Sequence, residues 1–227
     1  MKHITTPMGK LSAAALIAGA LFAVSTGACA QTTLADLQAG GTITSGDLLF
    51  SGFNNISQVP VGKAISLTDI YVVPVQIAGN YGIQFQTANW TLSGASQNYD
   101  LGFSFQVATT DGTSIIGNTL GMVGGYDNSG ATQIAETVLD SGSINTLASE
   151  LAYFNEGGSD NATDSKSFSP QTTIVVKKDF SMTTVAAGDQ IFVSHFDQTF
   201  ITTVPEPGTL ALAGMGIAGL IAARRRK

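Results

Sequence analysis

Residues 99–107 read Tyr99-Asp100-Leu101-Gly102-Phe103-Ser104-Phe105-Gln106-Val107. Odd positions are large and apolar; even positions are polar or small. Successive side chains of a strand point to opposite faces, so this alternation predicts a strand with one buried face. Working outward, Ile83 and Phe85 alternate with Gln84 and Gln86. In residues 65–77 the odd positions are apolar apart from Asp69, which predicts one strand through that run. Residues 172–176 and 190–201 are rich in β-branched and aromatic side chains. Turn formers separate these runs: Ala78-Gly79-Asn80, Thr110-Asp111-Gly112, Asp127-Asn128-Ser129-Gly130 and Ala187-Gly188-Asp189.

Short strands with little helical pattern between them predict an all-β body, an antiparallel β-sandwich or jelly roll. Pro74 places its strand at a sheet edge or a bulge. Two readings stay open for residues 144–154: a helix with Leu147, Leu151 and Phe154 on one face, or another strand. The polar residues 156–169 predict a loop. Residues 31–203 form one domain by length. The body holds four basic side chains against fifteen acidic ones, a net charge of about −11. That balance gives no electrostatic footprint for nucleic acid or for anionic lipid.

The two ends differ from the body. Lys2 and Lys10 precede an apolar stretch that closes on Ala28-Cys29-Ala30. A basic start, an apolar centre and a small-x-small site predict a secretory signal helix over residues 1–30, with Ala28 and Ala30 marking cleavage. Lipidation of Cys29 is the minor alternative, weakened by Thr26 where such signals carry a leucine-like residue. Cleavage after Ala30 removes the only cysteine, so the exported chain folds without disulfides. At the other end, residues 209–223 are apolar and helix-capable. At ~1.5 Å per residue they reach about 22 Å against a ~30 Å hydrocarbon core. Arg224, Arg225, Arg226 and Lys227 snorkel to make up part of that deficit, and as a basic stop-transfer tail they stay cytoplasmic. Pro205 and Pro207 hold Glu206 extended just outside this transmembrane helix, a conformation that suits a processing enzyme's cleft.

The string Val204-Pro205-Glu206-Pro207-Gly208, the short helix rich in small residues and the terminal Arg-Arg-Arg-Lys resemble the PEP-CTERM sorting signal, over residues 204–227. The resemblance implies an exosortase, a membrane protease-transpeptidase, as partner. It implies transient inner-membrane anchoring through the tail, then removal of the tail and delivery to the cell surface or an extracellular polysaccharide matrix. It also implies a Gram-negative host that makes exopolysaccharide. The runs at Gly41 to Asp47, Val176 to Asp179 and Asp197 to Phe200 are reminiscent of the same group and imply location rather than activity.

Catalytic signals are sparse. The sequence has no G-x-S-x-G elbow and no Walker A glycine ahead of Gly62-Lys63. His195 neighbours Ser194 and Asp197, but strand alternation puts Ser194 and His195 on opposite faces. One body histidine without cysteine makes a poor zinc site. No cofactor is expected. Calcium is the best-suited metal, since Asp160-Asn161-Ala162-Thr163-Asp164 and Asp127-Asn128 offer oxygen ligands, although neither has the spacing of a calcium loop. Trp90, Tyr99, Tyr126 and Tyr153 are candidates for stacking on sugar rings, with Tyr126 the best placed for exposure and Tyr99 in the core phase. The expectation is a non-enzymatic exported protein of the surface or biofilm matrix. A carbohydrate-binding module is the alternative, and a polysaccharide-active hydrolase ranks below both.

Overall fold

The computed structural model describes residues 31–61, 64–155 and 160–203. The signal segment with Ala28 and Ala30 lies outside the described residues, as does the tail with Pro205, Glu206, Pro207 and Arg224 to Lys227.

In chain order the elements are β1 (Thr32–Thr33), α1 (Leu34–Gln38), β2 (Ile43–Ser45), β3 (Leu48–Val61), a 3-10 turn (Leu67–Asp69), β4 (Tyr71–Ile77), β5 (Asn80–Gln86), β6 (Thr91–Ser93), β7 (Asn98–Thr109), β8 (Ile115–Asp127), β9 (Ala131–Asp140), β10 (Thr146–Phe154), β11 (Thr163–Gln171), β12 (Thr173–Thr183) and β13 (Gln190–Thr202). Sheet I runs β1-β4-β5-β13-β8-β11, with β6 also paired to β13. Sheet II runs β10-β9-β12-β7-β3-β2. Every pairing is antiparallel. From β6 to β9, and again from β10 to β13, successive strands alternate between the sheets. The body is therefore a two-sheet antiparallel β-sandwich, as the alternation predicts.

β7 lies between β12 and β3 and buries Tyr99, Leu101, Phe103, Phe105 and Val107, the odd positions of the opening stretch. These meet rings of the facing sheet: Phe85 stands 5.0 Å from Phe103, and Phe196 stacks at 4.8 Å on Phe85 and 5.0 Å on Trp90. Each fully buried side chain of this size contributes roughly 1.5–3 kcal/mol. With no cysteine in the body, this aromatic layer is the main source of cohesion. The β4–β5 hairpin turns on Ala78 (φ 51°) and Gly79 (φ 88°), the two left-handed residues that a tight primed turn requires.

Several expectations are corrected. The run 65–77 is not one strand: Leu67–Asp69 forms a 3-10 turn, and β4 begins at Tyr71. Its buried phase is the even one, with Ile70 and Val72 inward and Tyr71, Val73 and Val75 half-buried on the outer face. Residues 146–154 are a strand rather than a helix. Ala148, Glu150 and Ala152 face inward and Leu151 outward, while Leu147, at a register shift, and Phe154, at the strand's end, pack partly against the core, so the helix-like spacing does not mark one face. The predicted loop 156–169 contains most of β11, an edge strand that stays polar because most of it meets solvent. Pro74 stands on an edge as expected: β1 pairs β4 only at Tyr71 and Val72. Helix α1 is an addition, started by a capping box in which Thr33 and Asp36 satisfy each other's backbone N–H groups.

Candidate functional site

The outer face of sheet I carries a row of half-buried polar and aromatic groups near a surface hollow. Cross-strand register sets Tyr71 beside Gln86, Gln86 beside His195, and His195 beside Val123. One step along, Gln84 lies beside Asp197 and donates from Nε2 to its Oδ1 at 2.7 Å. Phe192 is 52% exposed, and its ring lies over Gly125, where a Cβ would come within 2.9 Å of it. The ring and Tyr71 border a hollow of about 410 Å³, completed by Gln86, Thr87, Thr91 and Ser194.

The expected separation of Ser194 and His195 is also corrected. The β13–β8 register slips between Val193 and His195, so Ser194 is the extra residue of a bulge. That break in alternation brings Ser194 Oγ to 3.2 Å from His195 Nδ1. His195 Nε2 stands 3.7 Å from Asp197 Oδ2, beyond hydrogen-bond length. Burial raises the Asp197 carboxyl above its usual range, against the opposing effects of Gln84, His195 and Lys178. The row offers donors, acceptors and a flat apolar ring, the groups that contact sugars.

The other candidates separate. Trp90 and Tyr99 are buried in the core and unavailable for stacking. Tyr126 is half-buried and packs against the core instead of standing free, because its phase on β8 points inward beside Ile191. Tyr153 borders a second hollow with Thr132, Gln133, Phe154 and Asn155. Asp160 accepts from the Asn155 backbone, and Asp164 from the Leu151 and Ser165 backbones and from Lys166 Nζ at 2.6 Å. Asn128 donates to the Gly188 carbonyl. These groups serve turns and strand ends, and among the described residues no three His, Cys, Asp or Glu side chains gather as a metal site.

Sequence reasoning missed a second polar cluster inside the sandwich. Glu150 (β10), Glu136 (β9) and Lys178 (β12) are successive cross-strand neighbours on the inner face of sheet II. Asn118 (β8) and Gln198 (β13) face them from sheet I, and all five side chains are buried. Lys178 Nζ donates to Glu136 Oε2 and, at 2.6 Å, to Gln198 Oε1. Asn118 Nδ2 donates to Glu136 and to Glu150. Asn118 Oδ1, Glu150 Oε1 and Gln198 Nε2 have no partner. Burial, the Glu136 charge and a hydrogen bond with Glu136 push the Glu150 carboxyl up to about 9, against the pull of Lys178. The available signal was phase: Glu136, Lys178 and Gln198 occupy buried positions of otherwise apolar alternations.

Fold and ends together define an antiparallel β-sandwich carrying a C-terminal sorting signal. The model of the PEP-CTERM protein-sorting motif matches residues 203–227, so the chain carries that motif after its β-sandwich. The motif implies export and handling by an exosortase. No curated protein matches the chain. Among solved structures it is similar to the enzymatically active domain of Bacteriophage CBA120 tailspike protein 4, at 13% identity and TM-score 0.30, over 65% of this chain and 19% of that one. It is similar to TmCBM61, solved with β-1,4-galactotriose, at 16% identity and TM-score 0.28, over 65% and 89%. A carbohydrate-binding module of the β-sandwich superfamily gives 13% identity and TM-score 0.27, over 71% and 58%. The chain thus spans about a fifth of the tailspike domain's length.

Proposed function

We propose that this chain is a non-enzymatic structural protein, exported and then sorted by an exosortase to the cell surface or an extracellular polysaccharide matrix, with a biofilm role. The observation that supports this reading is where the fold stops relative to the motif. β13 ends at Thr202, and Thr203 is tied back by its N–H to the Ser114 carbonyl (2.8 Å) and by its hydroxyl, which accepts from the Ser114 N–H (3.0 Å). The motif begins at that clamp, so tail removal at Pro205-Glu206-Pro207 leaves every described strand whole. The test is intact mass of the protein from its native host. The unaltered chain should lose its C-terminal segment. Replacing Pro205, Glu206 and Pro207 by alanine should leave it in the inner-membrane fraction at a mass that includes Lys227. Unaltered protein that keeps Lys227 at the cell surface would refute the sorting reading.

A second reading rests on the outer face of sheet I. The exposed Phe192 ring, with Tyr71, Gln86, Thr91 and Ser194 around the same hollow, forms a flat apolar platform edged by hydrogen-bonding groups, which suits binding of a polysaccharide chain. A glycan array on the purified protein, followed by titration with the best soluble oligosaccharide, tests it.

A further inference from the structure

We propose that Lys178 and Gln198 condense into an isopeptide bond that ties the two sheets together covalently, with Glu136 as the proton carrier. Nucleophile and acceptor are already in contact: Lys178 Nζ lies 2.6 Å from Gln198 Oε1. A carbonyl bond is ~1.2 Å long, so Nζ stands at most about 3.8 Å from the Gln198 carbonyl carbon, close to reacting distance. Glu136 Oε2 accepts a hydrogen bond from the same Nζ, as a general base for the amine must. Gln198 Nε2, the leaving nitrogen, is buried with no partner. Phe196 covers the amine from 5.8 Å, and the three reacting side chains are closed to solvent. Asn118 is the other carboxamide in the cluster, but it meets the carboxylates rather than Lys178.

The step balances without oxidant or water. Glu136 takes one proton from the Lys178 ammonium, giving a neutral amine and a carboxylic acid. Nζ attacks the Gln198 carbonyl carbon, and the Nζ–Cδ bond forms. A second proton passes from the attacking nitrogen through Glu136 to Nε2, the Cδ–Nε2 bond breaks, and ammonia leaves. Ammonium, carboxylate and carboxamide become a secondary amide, a carboxylic acid and ammonia. The product removes a buried ion pair and an unsatisfied amide, both costly inside a sandwich. It also gives a fold without cysteine a covalent tie between its sheets.

The experiment is mass spectrometry of the full chain, denatured and intact, then digested. Expected is a shortfall of one ammonia, about 17 Da, and a branched peptide joining Lys178 to Gln198. Lys178→Arg keeps the charge but cannot condense, and Glu136→Gln removes the proton carrier. Neither variant should yield the branched peptide. The peptide, not the shortfall, is decisive, because a chain beginning at Gln31 loses the same mass by cyclising its terminus. Recovery of Lys178 and Gln198 in separate, unmodified peptides overturns the proposal, as does a branch that runs from Lys178 to Asn118.

Discussion

Replacing Glu150 by glutamine should abolish a pH dependence that the unaltered protein shows. In the fold the Glu150 carboxyl is pushed from 4.5 up to about 9 by burial, by the charge of Glu136 and by their hydrogen bond. Lys178, while its amine is free, pulls the other way and Asp164 adds a smaller push; burial is the largest cause and sets the direction whether or not Lys178 has condensed with Gln198. Between those limits the native state holds a proton that the unfolded chain has released, so stability falls as pH rises. The stabilisation is full below pH 4.5 and lost progressively toward pH 9. From pH 5 to pH 8 the ceiling is ~4 kcal/mol, at about 1.4 kcal/mol per pH unit. Because Glu150 interacts strongly with its charged neighbours, the expected loss is about half that ceiling, ~2 kcal/mol. For a domain of this size that is a drop in melting temperature of roughly 4–8 °C. Glutamine keeps an oxygen for Asn118 and a donor for Glu136 while having no proton to lose. Glu150→Gln should therefore give a flatter curve and the higher melting temperature at pH 8. The assay is differential scanning calorimetry of both proteins at half-unit pH steps. Their difference isolates Glu150, since every other titrating group is common to both. A difference between the two proteins that does not grow from pH 5 to pH 8 would refute the reasoning.

Gly82→Ala should destabilise the body by about 3 kcal/mol or prevent folding. The new Cβ would stand 1.9 Å from the Gln198 carbonyl oxygen and 2.7 Å from Thr199 Cα, both backbone atoms of β13. An unchanged urea midpoint would show that β5 and β13 do not approach so closely. Phe192→Ala should leave stability within ~0.5 kcal/mol, because the ring is half exposed. If the outer face of sheet I binds polysaccharide, the same change should weaken oligosaccharide binding at least ~10-fold, the loss of one good contact. Unchanged affinity in calorimetric titration would remove Phe192 from that site.

The sequence by itself determined whatever depends on neighbours along the chain. Alternation at residues 99–107 set the buried face of β7, and Ala78-Gly79 set a tight hairpin. Pro74 marked an edge through its missing N–H. The C-terminal signal was legible in full, because its three parts are contiguous. Capping at Thr33 and Asp36 was equally local and went unread because helix α1 is so short. Other features lay beyond any local rule. Residues 146–154 carry Leu151 on the outward phase and Glu150 on the inward one, which leaves helix and strand both open until β9 is known to lie alongside. The Ser194 bulge exists only relative to β8. The Glu150-Glu136-Lys178 row with Asn118 and Gln198 draws on five strands spread from residue 115 to residue 202. A charge in the apolar phase of a strand signals a buried cost, and sequence shows that much. Which partner offsets the cost depends on what the opposite sheet places within hydrogen-bond reach, and only the packing of the two sheets decides that.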